Sequence, residues 1–240
     1  KDMKRKRKNE GKTIGGKTTY RSECKKRCWG TKDEKMRHYH DCEWGSAKYH
    51  FLGGAKCIFE SMVLQIFQCG LTWKCVFNKR DGFRKAFGNF SIDRVAKFDE
   101  KKVEQLAKNS KIIRNRAKIK AAIENAKLIL KMGKKKFLHF LWDFVPSEEN
   151  ERYLVDASPS GNHMRTDFKD KNYAKRTRSD GCHPTKTCVL LSKALKREGF
   201  KFMGPTVTLS FMQAVGMMNH HTRDCFVFKR LECEFEKLKF

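Results

Sequence analysis

The chain has 240 residues, enough for one domain with a hydrophobic core or at most two small ones. Lysine and arginine number 54 against 27 aspartate and glutamate residues, which gives a net charge of +27. This excess argues against an ordinary enzyme with a small neutral substrate. It favours a polyanionic partner, with nucleic acid first, an anionic membrane second and a merely solvated basic surface as the alternative.

The N-terminal stretch, residues 1–22, is polar and carries the basic run KRKRK at 4–8. We expect a disordered tail here, which is a nuclear address, a DNA tether or a solvated segment without a role. No signal-peptide pattern and no run of about 18 apolar residues is visible, so we expect no secretory leader and no transmembrane span. The ten cysteines are scattered among apolar stretches, which favours reduced thiols and a metal site over disulfides.

The rest of the chain is predicted to be all-α, because apolar residues recur at helical spacing and no strand alternation is visible. We place the main domain at 23–228, a variable insertion at 147–186 and a C-terminal tail at 229–240. The expected helices are 58–69 with Gly70 as its stop, 115–132, 137–144, 188–198 with Thr187 as its cap, and 205 to about 219 with Pro205 in its first turn.

Two pairs of residues are candidates for a metal site. His221 and Cys225 are four residues apart at the end of a predicted helix, and Cys28 and His40 are twelve apart near the N-terminus. Two thiolates and two imidazoles form a closed tetrahedral set, which suits structural zinc. The spacing does not join the two pairs, and unrelated helix-end residues are the alternative.

Two further groups of residues are typical of contacts with nucleic acid. The aromatic residues Trp29, Tyr39, Trp44 and Trp73 are either core residues or the walls of a pocket that stacks an extruded base. The run LAKNSKIIRNRAKIK at 106–120 predicts a short helix, a tight turn and a basic helix, where a DNA phosphate can bind at the helix start. The candidate phosphate contacts are Lys111, Arg114, Arg116 and Lys118, with a solvated basic helix face as the alternative.

Taken in order, these segments resemble the 3-methyladenine DNA glycosylase I family, a branch of the helix-hairpin-helix glycosylases. The resemblance spans roughly residues 24–228 with a gap at 147–186. It is carried by RCW at 27–29, YHDCEWG at 39–45, IFESMVLQIFQCGLTW at 58–73, FNKRDGFRKAF at 77–87, KIIRNRAKIKAAIENA at 111–126, LSKALKREGFKFMG at 191–204 and SFMQAVGMMNHH at 210–221 with Cys225.

The resemblance implies a helix-hairpin-helix helical bundle whose two ends are clipped together by structural zinc. Its implied ligands are Cys28, His40, His221 and Cys225, with Cys24 as the competitor for the first position.

The base pocket implied by the resemblance contains Trp29, Tyr39, Gln65 and Trp73. Trp73 would stack on the extruded base, Tyr39 would hydrogen-bond its edge, and Trp29 would help to close the site. No residue is identified as a catalytic base.

This chain departs from the family pattern at two positions. Gln65 occupies the position of a pocket glutamate, eight residues before the stacking Trp73. An amide offers donor and acceptor geometry but no charge with which to select a cationic base. Lys111 occupies a position in the hairpin turn where glycine is common, and it costs roughly 1 kcal/mol if that position is left-handed.

We therefore predict an enzyme, a monofunctional DNA glycosylase that releases N3-methyladenine from double-stranded alkylated DNA. We expect it to be a monomer without a membrane partner, nuclear in a eukaryote and otherwise cytoplasmic or nucleoid-associated. One alternative is a catalytically silent DNA-damage or DNA-structure binder with the same fold and zinc, which Gln65 favours. A second alternative is an RNA-binding or chromatin protein that binds mainly through its charge.

Overall fold

The computed structural model describes residues 26–146 and 184–237. This part of the chain is helical and contains no β-strand, which confirms the all-α prediction. Its helices are α1 (Glu34–His38), α2 (Ala47–Gln68), α3 (Trp73–Phe77), α4 (Arg80–Ala86), α5 (Ile92–Val95), α6 (Glu100–Lys108), α7 (Arg116–Met132), α8 (Lys134–Trp142), α9 (Lys186–Arg197), α10 (Pro205–Val215) and α11 (Phe226–Lys237). A π-helical turn (Tyr39–Glu43) follows α1, and a 3-10 turn (Gly88–Phe90) precedes α5.

Helix α2 is the central helix of the fold. Its side chains between Ile58 and Phe67 are buried on nearly every side, and α3, α7, α8, α10 and α11 contact it. The helix begins well before the predicted start at Ile58, because Ser46 caps it by accepting a hydrogen bond from the Tyr49 amide at 3.1 Å. Gly54, with a φ of +62°, kinks the helix between these two parts.

The end of α2 leads into a tight turn, residues 69–72, that we call the pocket turn. The helix ends at Gln68, one residue before the predicted end, and the Leu71 amide donates a hydrogen bond to the Gln68 carbonyl at 2.7 Å. Gly70 has a φ of +79°, which explains why a glycine follows the helix here. Thr72 then caps α3, so the pocket turn places Trp73 at the start of the next helix.

Helices α6 and α7 form the predicted helix-turn-helix, joined by residues 109–115, which we call the hairpin turn. Asn109 accepts a hydrogen bond from the Lys111 amide at 2.9 Å, and Asn115 caps α7. The described non-glycine residues with positive φ are Asn89, Phe90 and Phe202, so Lys111 does not carry the left-handed strain considered from the sequence. The departure from glycine at this position therefore has no backbone cost in this structure.

The remaining predicted helices exist with shifted ends. Helix α7 spans the predicted region, α8 starts three residues earlier than predicted, and α9 is capped by Thr185 rather than by Thr187. Helix α10 starts at Pro205 as predicted but ends at Val215 instead of near residue 219. It stops because Gly216 is left-handed with a φ of +82° and lies so close to α2 that a Cβ would be 2.3 Å from the Ala47 nitrogen.

The predicted C-terminal tail is wrong for residues 229–237, because they belong to α11. Val227, Phe228 and Leu231 are buried on one face of this helix, which packs against α2. The helix was not predicted because only three of its positions are buried and charged residues lie between them. The predicted basic tail at 1–22 and most of the predicted insertion at 147–186 lie outside the described residues.

Candidate metal centre and base pocket

Two cysteines and two histidines from opposite ends of the chain meet in one buried group. Their sulfur and ring nitrogen atoms all lie within 4.8 Å of one another, and the residues are Cys28, His40, His221 and Cys225. The Cys28 sulfur is 3.2 Å from His221 Nδ1, and the Cys225 sulfur is 3.6 Å from His40 Nε2. None of the four is more than 6% exposed. The structure thus brings together the four residues predicted as metal ligands.

Hydrogen bonds fix both histidine rings so that one nitrogen of each faces the sulfurs. His40 Nδ1 lies 2.8 Å from the Asp41 carboxylate, which also accepts two hydrogen bonds from the Arg27 guanidinium, at 2.8 and 2.7 Å. His221 Nε2 donates to the Trp44 carbonyl at 3.1 Å, which leaves its Nδ1 with a lone pair. Carboxylate and carbonyl partners of this kind orient metal-binding histidines and raise their basicity.

The two sulfurs are electrostatically coupled. The hydrogen bond to Cys225, together with burial, raises the pKa of the Cys28 thiol. The same hydrogen bond from Cys28 lowers the pKa of Cys225. A cation in place of the shared proton would stabilise both sulfurs as thiolates. The group can therefore hold a four-coordinate metal with no open position, while the competing Cys24 lies outside the described residues.

The aromatic residues predicted to line the pocket are buried beside this metal centre. The Tyr39 and Trp73 ring centroids are 5.2 Å apart, and Phe77 contacts both rings. The Trp29 ring lies against His40, at 4.9 Å. Because Tyr39 and Trp73 touch each other, a base cannot lie between these two rings unless they separate. Burial raises the pKa of Tyr39 further above neutral pH, and its protonated phenol is a hydrogen-bond donor.

Three of the four predicted pocket residues carry a buried polar atom without a protein partner among the described residues. These atoms are Trp29 Nε1, Gln65 Oε1 and Trp73 Nε1. An unpaired buried polar group costs about 1–3 kcal/mol, so most proteins pair such groups unless a ligand does so. Two N–H donors and one amide oxygen acceptor match a ligand that carries both acceptors and an N–H donor, as a nucleobase edge does.

The four predicted phosphate contacts lie in very different surroundings. Lys111 and Arg114 are exposed on the hairpin turn, as a phosphate contact requires. Arg116 is exposed but pairs with Glu100 at 3.1 Å and with a second glutamate on α6. Lys118 is only 7% exposed and donates to backbone carbonyls at the end of α2, so its prediction as a phosphate contact is wrong. The third position of α7 faces α2, which a basic run does not reveal.

Comparison with known proteins agrees with the family resemblance noted in the sequence. A family model described as methyladenine glycosylase matches residues 29–228. The chain belongs to this family. It is 36% identical to the DNA-3-methyladenine glycosylase of Haemophilus influenzae, over 78% of this chain and 89% of that protein. It is also 36% identical to DNA-3-methyladenine glycosylase 1 of Escherichia coli, over 83% of this chain and 95% of that protein. A crystal structure of 3-methyladenine DNA glycosylase I superposes with a TM-score of 0.67 at 35% identity and covers 84% of this chain and 98% of that one.

The chain also has a partly buried charge network that was not predicted from the sequence. Arg80 donates to Glu43 and to Glu60, each at 2.7 Å, and Arg84 donates to Glu60 at 2.9 Å. The Arg80 guanidinium lies 5.7 Å from the centre of the Phe77 ring, so the network contacts the ring that packs against Tyr39 and Trp73. A carboxylate at residue 60 on an otherwise apolar helix was the available signal, because a buried carboxylate requires a cationic partner.

Proposed function

We propose that this protein is a monofunctional DNA glycosylase of base-excision repair that extrudes N3-methyladenine from alkylated DNA and releases it by hydrolysis. The names of the relatives support this proposal, because those proteins are DNA-3-methyladenine glycosylases. The observation that carries it in this chain is the set of unpaired buried polar atoms on Trp29, Gln65 and Trp73. These names do not favour the alternative of a silent DNA binder.

The pocket residues suit a cationic purine. Once the rings separate, the face of Trp73 would stack on the base, and an indole face attracts a positive charge by about 0.5–2 kcal/mol. The Gln65 oxygen would accept a hydrogen bond from the exocyclic amino group, and Tyr39 would contact the base edge. This pairing would offset the desolvation cost of the buried polar atoms on these residues.

The chemical step requires little acid catalysis. Water adds to the anomeric carbon of the sugar, the glycosidic bond breaks, and its electron pair neutralises the cationic base as it leaves. The water loses one proton, and the products are a free base and an abasic sugar. The Glu43 and Glu60 carboxylates are both held by Arg80, so neither is proposed as the base that takes this proton.

We propose zinc as the metal of the buried cysteine and histidine group. Two thiolates and two imidazoles without an open position are a structural zinc set. Bound there, zinc would clip the segment around Cys28 and His40 to the segment around His221 and Cys225. The test is the metal content of purified protein, for which we expect about one zinc per chain from the single four-ligand set.

We propose that Lys111 and Arg114 contact the phosphates of duplex DNA, and that Arg116 joins them only if it leaves its glutamate partners. We also propose that the protein acts as a monomer, which its elution volume would test. In the described residues no helix is long and apolar enough to span a membrane. The Haemophilus influenzae and Escherichia coli relatives are bacterial, which gives the nuclear location no support, so we propose a location with the DNA of the cytoplasm or nucleoid.

The experiment is base release from methylated duplex DNA, followed by chromatography of the free bases. We expect the wild type to release 3-methyladenine and Trp73→Phe, which keeps a ring but loses the indole, to be slower by about 2- to 30-fold. Trp142→Phe, on α8, is the matched control and should release base at the wild-type rate. If only Gln65→Glu releases base and the wild type does not, the protein is a binder and the proposal is wrong.

A further inference from the structure

Lys118 is a buried cationic side chain. It is 7% exposed, whereas its neighbour two residues on, Lys120, is exposed on the same helix. Its ammonium donates to the Phe67 carbonyl at 3.1 Å and to the Cys69 carbonyl. Burial lowers the pKa of Lys118. A buried ammonium is costly unless it is fully hydrogen-bonded, so this placement needs an explanation beyond the overall basic charge.

The two carbonyls belong to the C-terminal end of α2, where the pocket turn begins. The last carbonyls of a helix lack partners within the helix and carry partial negative charge. Helix α2 has no basic residue of its own in its last turn, so Lys118 supplies the cation from α7. Gln65 lies one helical turn before this point and Trp73 directly follows the pocket turn. The ammonium therefore holds the backbone that connects the two pocket residues.

The same residue is anchored to the hairpin turn through its main chain. The Lys118 amide donates to Asn115 Oδ1 at 3.0 Å, and Asn115 is the last residue of the hairpin turn. The exposed Lys111 and Arg114 lie in that turn. Lys79, the residue directly before α4, also contacts this turn, because its Nζ donates to the Ser110 carbonyl at 2.7 Å. One residue thus joins the proposed phosphate-binding segment to the proposed base-binding segment.

We propose that Lys118 is a positioning residue that couples contact of DNA with the hairpin turn to the geometry of the pocket turn, and so aligns Gln65 and Trp73 with the extruded base. The effect of Lys118 on the rate of base release rests on the proposed glycosylase function, whereas its effect on the backbone of the pocket turn does not. The ammonium faces the protein interior, which distinguishes this role from that of a phosphate contact. A buried lysine that attacked the sugar carbon would be a different role, and it would leave a reducible covalent link to DNA.

The test uses Lys118→Met, which keeps the length of the side chain and removes the ammonium. Lys120→Met is the matched control on the exposed side of α7, and Arg114→Met is the control for loss of a phosphate contact. Lys118→Gln keeps an N–H donor and serves if the methionine variant does not fold. Hydrogen exchange of peptides covering 66–73 and 109–116 is measured with and without undamaged duplex DNA, and base release is measured in single turnovers at saturating protein.

In the wild type, we expect DNA to slow exchange in both peptides. In Lys118→Met, DNA should slow exchange only in the hairpin peptide, and the single-turnover rate should fall by about 10- to 100-fold while the Kd for DNA stays at the wild-type value. Arg114→Met should weaken the Kd, because it loses a proposed phosphate contact, and Lys120→Met should match the wild type in Kd, exchange and rate.

Three results would overturn the proposal: slowed exchange of both peptides in Lys118→Met, a loss of DNA affinity like that of Arg114→Met, or a covalent adduct of wild-type Lys118 with DNA after borohydride reduction. A wild type that releases no base would refute the glycosylase function alone, since the exchange experiment decides the role of Lys118 without catalysis.

Discussion

Replacement of Asp41 by asparagine should weaken the metal centre without touching a metal ligand. The Asp41 carboxylate lies 2.8 Å from His40 Nδ1 and accepts two hydrogen bonds from Arg27. Burial acts to raise its pKa, but the hydrogen bonds from Arg27 and His40 outweigh burial and lower it. Asparagine keeps one oxygen, which can accept a hydrogen bond from one of these partners. Its NH2 group would face an N–H donor of the other partner, and two donors cannot form a hydrogen bond.

The magnitude follows from the role of such carboxylates in metal sites. Loss of the partner that orients a metal-binding histidine lowers metal affinity by about 10- to 100-fold. At a fixed concentration of free metal in excess of the dissociation constant, this loss lowers the free energy of unfolding by about 1.4–2.7 kcal/mol. The effect should disappear when metal is absent, because the apo proteins then differ only in a part-exposed ion pair.

The assay is competition with a chromophoric zinc chelator, combined with thermal unfolding at buffered free zinc. Asp81→Asn is the matched control, since Asp81 is exposed and lies 3.7 Å from Lys35 in a weak surface pair. We expect Asp41→Asn to lose zinc to the chelator at lower concentrations and Asp81→Asn to behave as the wild type. If Asp41→Asn retained zinc as tightly as the wild type, the reasoning about the histidine partner would be refuted.

Three further predictions concern the fold around the site. Gly82→Ala should destabilise the protein by about 1–3 kcal/mol in urea unfolding and weaken DNA binding, because its Cβ would lie 2.2 Å from the Lys111 carbonyl oxygen; unchanged DNA affinity would contradict this. Arg80→Met should cost about 3 kcal/mol in the same measurement, because it removes the cation shared by the buried Glu60 and the part-buried Glu43 and leaves Glu60 with Arg84; a cost below about 1 kcal/mol would contradict it. Burial lowers the pKa of His50 to about 4, below its ordinary value of about 6.5, so the folded state resists a proton that the unfolded chain accepts. The stability that neutral His50 contributes should be present above pH 6.5 and fall by up to about 3 kcal/mol toward pH 4, and His50→Gln should flatten that part of the profile.

Sequence patterns predicted the helices where one face is strongly apolar. Helix α7 was placed within a residue of its observed ends because both its periodicity and its capping asparagine are local signals. The early start of α2 was missed because Gly54 interrupts the pattern. The early end of α10 was missed because it depends on the contact of Gly216 with the Ala47 backbone, which is far away in the sequence.

The site was predicted less evenly than the fold. The four candidate metal ligands were assigned through the family resemblance, since the spacing does not link residues nearly two hundred positions apart, and the structure brings all four together. Lys118 was misassigned because a basic helix pattern shows charge but not direction, and only the packing of α7 on α2 shows that its ammonium faces inward. The Arg80 network was missed because its carboxylates come from separate segments, Glu43 and Glu60.

The most direct measurement is a crystal structure of the wild-type protein soaked with free 3-methyladenine. The glycosylase account predicts that the Tyr39 and Trp73 rings separate and that the base stacks on Trp73. Its amino group should lie within hydrogen-bond distance of Gln65 Oε1, which has no protein partner among the described residues. A base bound elsewhere, with Tyr39 and Trp73 still in contact at 5.2 Å, would contradict the account.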